Sequence, residues 1–430
     1  MSEALLGFAL VLLLMALRVP VAIALALVGA LGLYWVWGSA SLGFVLGKAP
    51  FDAIASPGLA VLPLFVTMGV FAAHGGLSRA LFGAARALLG HRRGGLALAT
   101  VGASAVFGAI CGSSLATAAT IAKVAMPEMR RAGYPDRLSA ASVAAGGTLG
   151  VMIPPSILFV VYGLMTEQSI GKLFAAGLLP GLVGTLLYMV AVRASTRRGT
   201  GFAPAPRLPW GERLRTLAGI WQTLLLVLAV LLGMYGGLFT PSEAAAVGAA
   251  GAILLTWLNG RLSLRVLRDG LLETVLTTAM IFAILIGASI FNAFVDATGI
   301  AQRLIGVIAG LGADPLLVLL ALALLYIVLG CLMDSLSMIL LTIGAVFPVI
   351  RALGVDPIWF GVFLVTLAEI GMITPPVGMN LFVLQSTVPG LDLATVSRGI
   401  LPFVLADGVR LLLLLALPGL ATWLPAVLFG

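Results

Sequence analysis

The sequence predicts an all-α integral membrane protein, an inverted repeat of two halves, each with about five spans and one re-entrant helical hairpin. Composition, loop charge and an internal repeat point to it. Of 430 residues, 61% are apolar and 9% are charged, where a soluble domain has roughly 45–50% and about 25%. The 24 Lys and Arg and 16 Asp and Glu residues cannot clothe a core of this size in water. That excludes an ordinary cytoplasmic enzyme. The 53 glycines suit helices packed closely in lipid.

Cys111 and Cys331 lie far apart in apolar runs, and His74 and His91 lack metal-ligand spacing to any partner. Neither a disulfide framework nor a metal cluster is indicated. The net charge of +8 sits in short loops between apolar runs, a topological pattern that argues against nucleic acid as a partner. Met1 to Glu3 carries no positive n-region, and apolar sequence continues past Arg18 to Trp37. Insertion without a cleaved signal peptide is the simpler expectation.

Taken in order, the full spans of the first half (1–192) fall at about 4–17, 19–37, 54–73, 138–166 and 172–192. A basic, Pro-containing linker at 193–216 holds Arg193, Arg197, Arg198, Arg207, Arg213 and Arg215 with Pro204, Pro206 and Pro209. In the second half (217–430) the spans fall at about 217–236, 242–258, 271–295, 358–385 and 399–428.

Two uncharged or nearly uncharged segments remain, about 94–122 and 315–343. Arg79, Arg86, Arg92 and Arg93 precede the first, and Lys123, Arg130, Arg131 and Arg137 follow it. If both loops are cytoplasmic, the segment enters and leaves on one side as a hairpin, with its break at GAICGSS, residues 108–114. A single long tilted helix is the alternative. Parity then puts both 193–216 and the loop with Arg261, Arg265 and Arg268 in the cytoplasm, and both are basic.

At a fixed offset of 221 residues, Ser114, Leu115, Pro127, Arg130, Gly133, Gly150, Pro154 and Pro155 pair with Ser335, Leu336, Pro348, Arg351, Gly354, Gly371, Pro375 and Pro376. An odd number of spans per half inverts the second copy. Its loops at 300–314 and 344–358 accordingly carry only Arg303 and Arg351 as basic residues. Inverted repeats with broken helices are typical of secondary transporters.

The chemistry is expected at the breaks. Gly146 and Gly147 weaken the helix before Pro154 and Pro155, and Pro375 and Pro376 repeat the doublet. Each proline withholds a donor from the carbonyl four residues earlier, which frees the oxygens of Gly150, Val151, Gly371 and Met372. Carbonyls in hydrocarbon need a partner. Either a small hard cation such as sodium meets them, or water and nearby hydroxyls do.

The hairpin tips present Ser113, Ser114 and Thr117 in one copy and Asp334, Ser335 and Ser337 in the other. Helix ends there could hold a carboxylate without a buried arginine. Asp334 either ligands a cation or caps a hairpin arm. Glu369 has a helix-packing or a direct role, Asp407 and Arg410 neutralise one another on one helix face, and Glu243 in TPSEA caps a helix start. No catalytic triad, phosphate loop or metal motif is present, so an enzyme is not expected.

The stretches GSSLATAATIAKVAMPEMRRAGYPDRLSAASVAAGGTLGVMIPPSILFVVYG, TPSEAAAVGA and DPIWFGVFLVTLAEIGMITPPVGMNLFV resemble the DctM-like large membrane subunit of the tripartite ATP-independent periplasmic (TRAP) transporters. The resemblance implies a sodium-driven importer of small organic anions in the bacterial inner membrane, supplied by a periplasmic substrate-binding protein. It also implies an elevator-type motion and a separate, small four-span membrane subunit. Carried over by motif, one sodium site would involve Ser113 or Ser114 with Gly150, Ile153 and Pro155. The other would involve Asp334 or Ser335 with Gly371, Thr374 and Val377. A stand-alone sodium-coupled carboxylate carrier of the same architecture is the alternative. The substrate-binding residues and the particular anion are not legible.

Overall fold

A computed structural model describes residues 2–196, 206–312 and 314–430. Arg197, Arg198 and Pro204 of the expected linker lie outside the described residues. The described chain is helical throughout, apart from short turns and breaks. Among the described residues, seven helices are long and apolar enough to cross a membrane, and up to ten spans result if each of three bent helix pairs counts as one.

The helices recur at the 221-residue offset seen in the sequence. Ser2–Ala16 has its counterpart in Trp221–Tyr235, Leu77–Leu89 in Ile300–Leu311, and Ile170–Ser195 in Leu393–Ala416. The hairpin arms Gly95–Cys111 and Ser114–Arg131 correspond to Pro315–Leu332 and Ser335–Ala352. The broken pair Asp136–Met152 and Ile157–Thr166 corresponds to Pro357–Ile373 and Met379–Thr387. Both doublets, Pro154–Pro155 and Pro375–Pro376, have cis peptide bonds. The residue before each doublet is extended, with φ −79° and ψ 122° at Ile153 and φ −86° and ψ 125° at Thr374.

Several expected boundaries need correction. The span placed at 19–37 continues to Ala55, because the helix resumes after a break at Gly38, where φ is 81°. Residues 77–89 and 300–311, read as loop, are amphipathic helices; Leu77, Leu81 and Phe82 point inward on the first while Arg79 and Arg86 remain on it as polar residues. The second hairpin arms run past 122 and 343 to Arg131 and Ala352, with Pro127 and Pro348 inside them. The span at 399–428 is two helices, Leu393–Ala416 and Gly419–Phe429, separated at Leu417 and Pro418. Part of the 193–216 linker is helical, as Trp210–Ala218, bent by 53° from Trp221–Tyr235. At Glu243 the expected cap is present: Thr240 and Glu243 form a reciprocal capping box.

Two 35-residue helices, Val21–Ala55 and Leu264–Thr298, pack along one another. A Cβ on Gly29 would lie 2.7 Å from the Phe291 Cα, so the glycine permits the close backbone approach. Val61–His74 packs on Pro241–Leu258, which exchanges partners between halves. The interior is filled by the broken helices: every residue from Leu138 to Met152 and from Trp359 to Ile373 is buried.

Candidate functional site

Gly146 and Gly147, expected to interrupt the helix, lie inside the helix Asp136–Met152. A Cβ on Gly146 would meet Ser104 Oγ at 2.6 Å, and one on Gly147 would meet the Ala118 Cβ at 2.9 Å. These glycines bring the broken helix against both hairpin arms; the break itself is made by Ile153 to Ser156. Gly150 rests directly on Gly108, and Gly371 on Gly330, where a Cβ on Gly371 would lie 2.6 Å from the Gly330 Cα. The same contact between hairpin arm and broken helix therefore appears in both copies.

The hairpin turns follow from local caps. Gly112 takes the left-handed conformation at φ 65° and ends the first arm, and extended Ser113 caps the next by accepting from Ala116 N. In the other copy extended Met333 and Asp334 make the turn, and the Asp334 carboxylate accepts from Ser337 N at 3.1 Å and from Ser337 Oγ. Asp334 is thus a cap, and it also lines the cavity described next.

Ser113, Ser114, Asp334 and Ser335 line one cavity of about 310 Å³, together with Val151, Met372, Met379 and, from Leu264–Thr298, Thr277. The two tips, far apart in sequence, share a single space. Among the described residues, the only ionisable one in its lining is Asp334. Gly150, Ile153, Pro155, Gly371, Thr374 and Val377 are absent from its lining. Pro154 and Pro155 are buried, whereas Pro375 and Pro376 are exposed, so the two breaks differ in access.

The Gly371 carbonyl, expected to be free, is engaged within its own chain segment. Its oxygen accepts from Thr374 N at 3.1 Å because the chain tightens before the doublet. Thr374 Oγ1 donates back to Ile370 O at 2.6 Å, and Ser335 Oγ donates to Met372 Sδ at 2.8 Å. Met372 O and Thr374 O converge on Gly378, each 3.2 Å from the position of a Cβ there.

Asn380 was missed by sequence reasoning. Fully buried, it donates from Nδ2 to Ser114 Oγ at 2.8 Å and to Ala144 O at 3.0 Å, while its Oδ1 has no partner. It ties the second broken helix to the first hairpin tip. The only signal was an amide in an apolar stretch, GMNLF, after the second doublet.

The broken helices also carry a fully buried ionic network. Arg410 Nη2 pairs with Glu369 Oε2 at 2.7 Å and with Asp407 Oδ1 at 3.0 Å. Tyr188 OH donates to Asp407 Oδ2 at 2.6 Å and stands 3.2 Å from Thr148 Oγ1. The expected self-contained Asp407 and Arg410 pair is instead shared with Glu369, because the guanidinium reaches across to the neighbouring broken helix.

Two hairpin tips meet at one cavity inside an apolar helical bundle, and the class of protein is a membrane transport permease. The chain belongs to the DctM component family of the tripartite ATP-independent periplasmic transporters, whose model matches residues 8–420. It is accordingly a multi-pass protein of the bacterial inner membrane. It is 38% identical over 369 residues to the C4-dicarboxylate TRAP transporter large permease protein DctM of Pseudomonas aeruginosa, covering 85% of this chain and 86% of that one. It is 37% identical over 415 residues to the isethionate TRAP transporter permease protein DctMQ of Oleidesulfovibrio alaskensis, covering 95% of this chain and 63% of that one. In fold it is similar to the solved structure of the Alcanivorax borkumensis YdaH transporter, with a TM-score of 0.59 at 17% identity, covering 90% of this chain and 89% of that one.

Proposed function

We propose that this chain is the large membrane subunit of a sodium-coupled importer of small organic anions, supplied by a periplasmic substrate-binding protein. The observation that carries this reading is the shared cavity of about 310 Å³ between Ser113, Ser114, Asp334 and Ser335. The N-termini of Ser114–Arg131 and Ser335–Ala352 both end at it, and helix N-termini favour anions. The ends are unequal. Neutral Ser113 caps one, and ionisable Asp334 caps the other. A substrate carboxylate or sulfonate belongs in the cavity between the two tips, where both helix N-termini reach it.

In this reading the halves are inverted repeats, each hairpin is re-entrant, and one sodium ion binds at each break. Ser113 or Ser114 with Gly150, Ile153 and Pro155 would hold one; Asp334 or Ser335 with Gly371, Thr374 and Val377 would hold the other. The repeated contacts of Gly108 with Gly150 and Gly330 with Gly371 support moving each hairpin together with its broken helix, as an elevator domain against the long helices. Small organic anions are supported by relatives named for C4-dicarboxylate and isethionate. A small membrane subunit on a separate chain belongs to this reading as part of the tripartite family's assembly.

Uptake into proteoliposomes tests this directly. With the small subunit and a loaded binding protein, an inward sodium gradient should drive accumulation of a dicarboxylate or hydroxysulfonate, and Ser114→Ala should weaken its sodium dependence. Accumulation that is indifferent to sodium overturns the coupling. Full transport by this chain alone overturns the tripartite assembly.

A further inference from the structure

A second polar site lies at the end of the bundle that carries the basic loops. Three segments meet there: the 90–94 turn, the end of Ile170–Ser195, and the stretch from Arg207 into Trp210–Ala218. A Cβ on Gly94 would lie 2.9 Å from Thr196 Cγ2 and 3.2 Å from Val192 Cγ1, so the first two touch. Trp210–Ala218 packs on Leu77–Leu89, the helix that leads into the turn. Arg92, Arg93, Arg193 and Thr196 line a cavity of about 590 Å³. Arg213, Arg207 and Arg92 all act on His91, which is held below its ordinary proton affinity by partial burial and by these three charges.

The buried member is the informative one. Arg213 is 3% exposed, yet among the described residues its buried Nε and Nη2 have no hydrogen-bond partner. Its guanidinium lies over the Trp210 ring at 5.0 Å. Among the described residues, Arg92, Arg93, Arg193, Arg207 and Arg213 form no ion pair. A buried guanidinium left without an anion carries a large desolvation penalty, and its planar fork matches phosphate oxygens.

The same helix indicates where the phosphate comes from. Trp210 is 64% and Leu214 61% exposed, and they stand one turn apart on a helix that turns 53° away from the span it precedes. A short helix with an aromatic and a leucine outward and arginines beside them lies along the headgroup boundary. Anionic headgroups concentrate at that depth, and free phosphate does not.

We propose that this arginine cluster binds the phosphate headgroup of an anionic phospholipid. Arg92, Arg93 and Arg193 line the site, Arg213 is the buried cation on the adjoining helix, and Trp210 and Leu214 enter the acyl boundary. This site is separate from the transport cavity and does not depend on the substrate reading.

The test is a thermal-shift titration of the purified full-length chain in detergent with short-chain phosphatidylglycerol, matched phosphatidylcholine, or inorganic phosphate. Phosphatidylglycerol should raise the melting temperature, and phosphatidylcholine should not. In Arg92→Gln/Arg193→Gln, which alters exposed side chains only, the midpoint should weaken by roughly tenfold or more, and Arg213→Gln should weaken it further. Equal shifts with the two lipids, or an unchanged midpoint in the double variant, overturn the site. Inorganic phosphate that reproduces the shift at the same concentration overturns the lipid assignment. If Arg213→Gln fails to fold, the double variant still decides.

Discussion

Arg410 Nη2 lies 2.7 Å from Glu369 Oε2, and neither side chain has any exposed surface. The pair joins the helix Leu393–Ala416 to the first arm of the second broken span, and Asp407, Tyr188 and Thr148 extend it to Ile170–Ser195 and to the first broken span. A charge network is therefore shared by both broken helices. Gly184 leaves room for it: a Cβ there would lie 2.7 Å from Arg410 Nη1.

Arg410→Met should be the most damaging change in this network, because it strands Glu369 and Asp407 together. The expected loss is about 3–5 kcal/mol, read as a lower melting temperature in detergent. Adding Glu369→Gln and Asp407→Asn to Arg410→Met should recover part of it. No recovery would mean that the arginine acts through packing alone.

Gly150→Ala and Gly371→Ala should each force a hairpin arm off its broken helix, since a Cβ at Gly371 would stand 2.6 Å from the Gly330 backbone. The expected cost is about 1–3 kcal/mol, with loss of uptake. Gly102→Ala is the control, because its Cβ would meet only Met189 Cε and Leu89 Cδ1, at 3.5 and 4.0 Å.

Asp334 both caps Ser335–Ala352 and lines the cavity, and two substitutions separate these roles. Asn caps well, so Asp334→Asn should preserve the melting temperature yet raise the sodium concentration needed for half-maximal uptake. Asp334→Ala should do both harms, losing about 1 kcal/mol of cap stability. If Asp334→Asn transports with unchanged sodium dependence, the residue is a cap only.

Asn380 and Ser114 should be energetically coupled across 2.8 Å. In a double-mutant cycle of Asn380→Ala and Ser114→Ala, the interaction energy should be about 0.5–3 kcal/mol, measured by denaturation in mixed micelles. Additive effects would show that the contact carries no stability.

Much of this was legible because lipid imposes simple rules. The breaks at Pro154 and Pro375 could be read directly, since proline removes a backbone donor wherever it stands, and the tip at Gly112 and Ser113 could be placed by glycine and a capping serine. Leu77–Leu89 and Ile300–Leu311 were not legible as helices, because hydropathy searches for continuous apolar runs and these are amphipathic. Asn380 escaped for another reason. A lone amide reveals its role only when its partners, Ser114 and Ala144, are known.

By itself the sequence determined that this chain lives in lipid, which helices break, and which polar residues stand at the tips. Each of these depends on local chemistry: scarce charge, a missing amide hydrogen, a residue able to cap. Only the tertiary structure decided that Ser114 and Ser335 face the same cavity, that Arg410 serves two carboxylates, and that Arg213 is buried without an acid. Those facts depend on the distance between residues far apart in the chain, which is set by how the glycine faces let the helices approach.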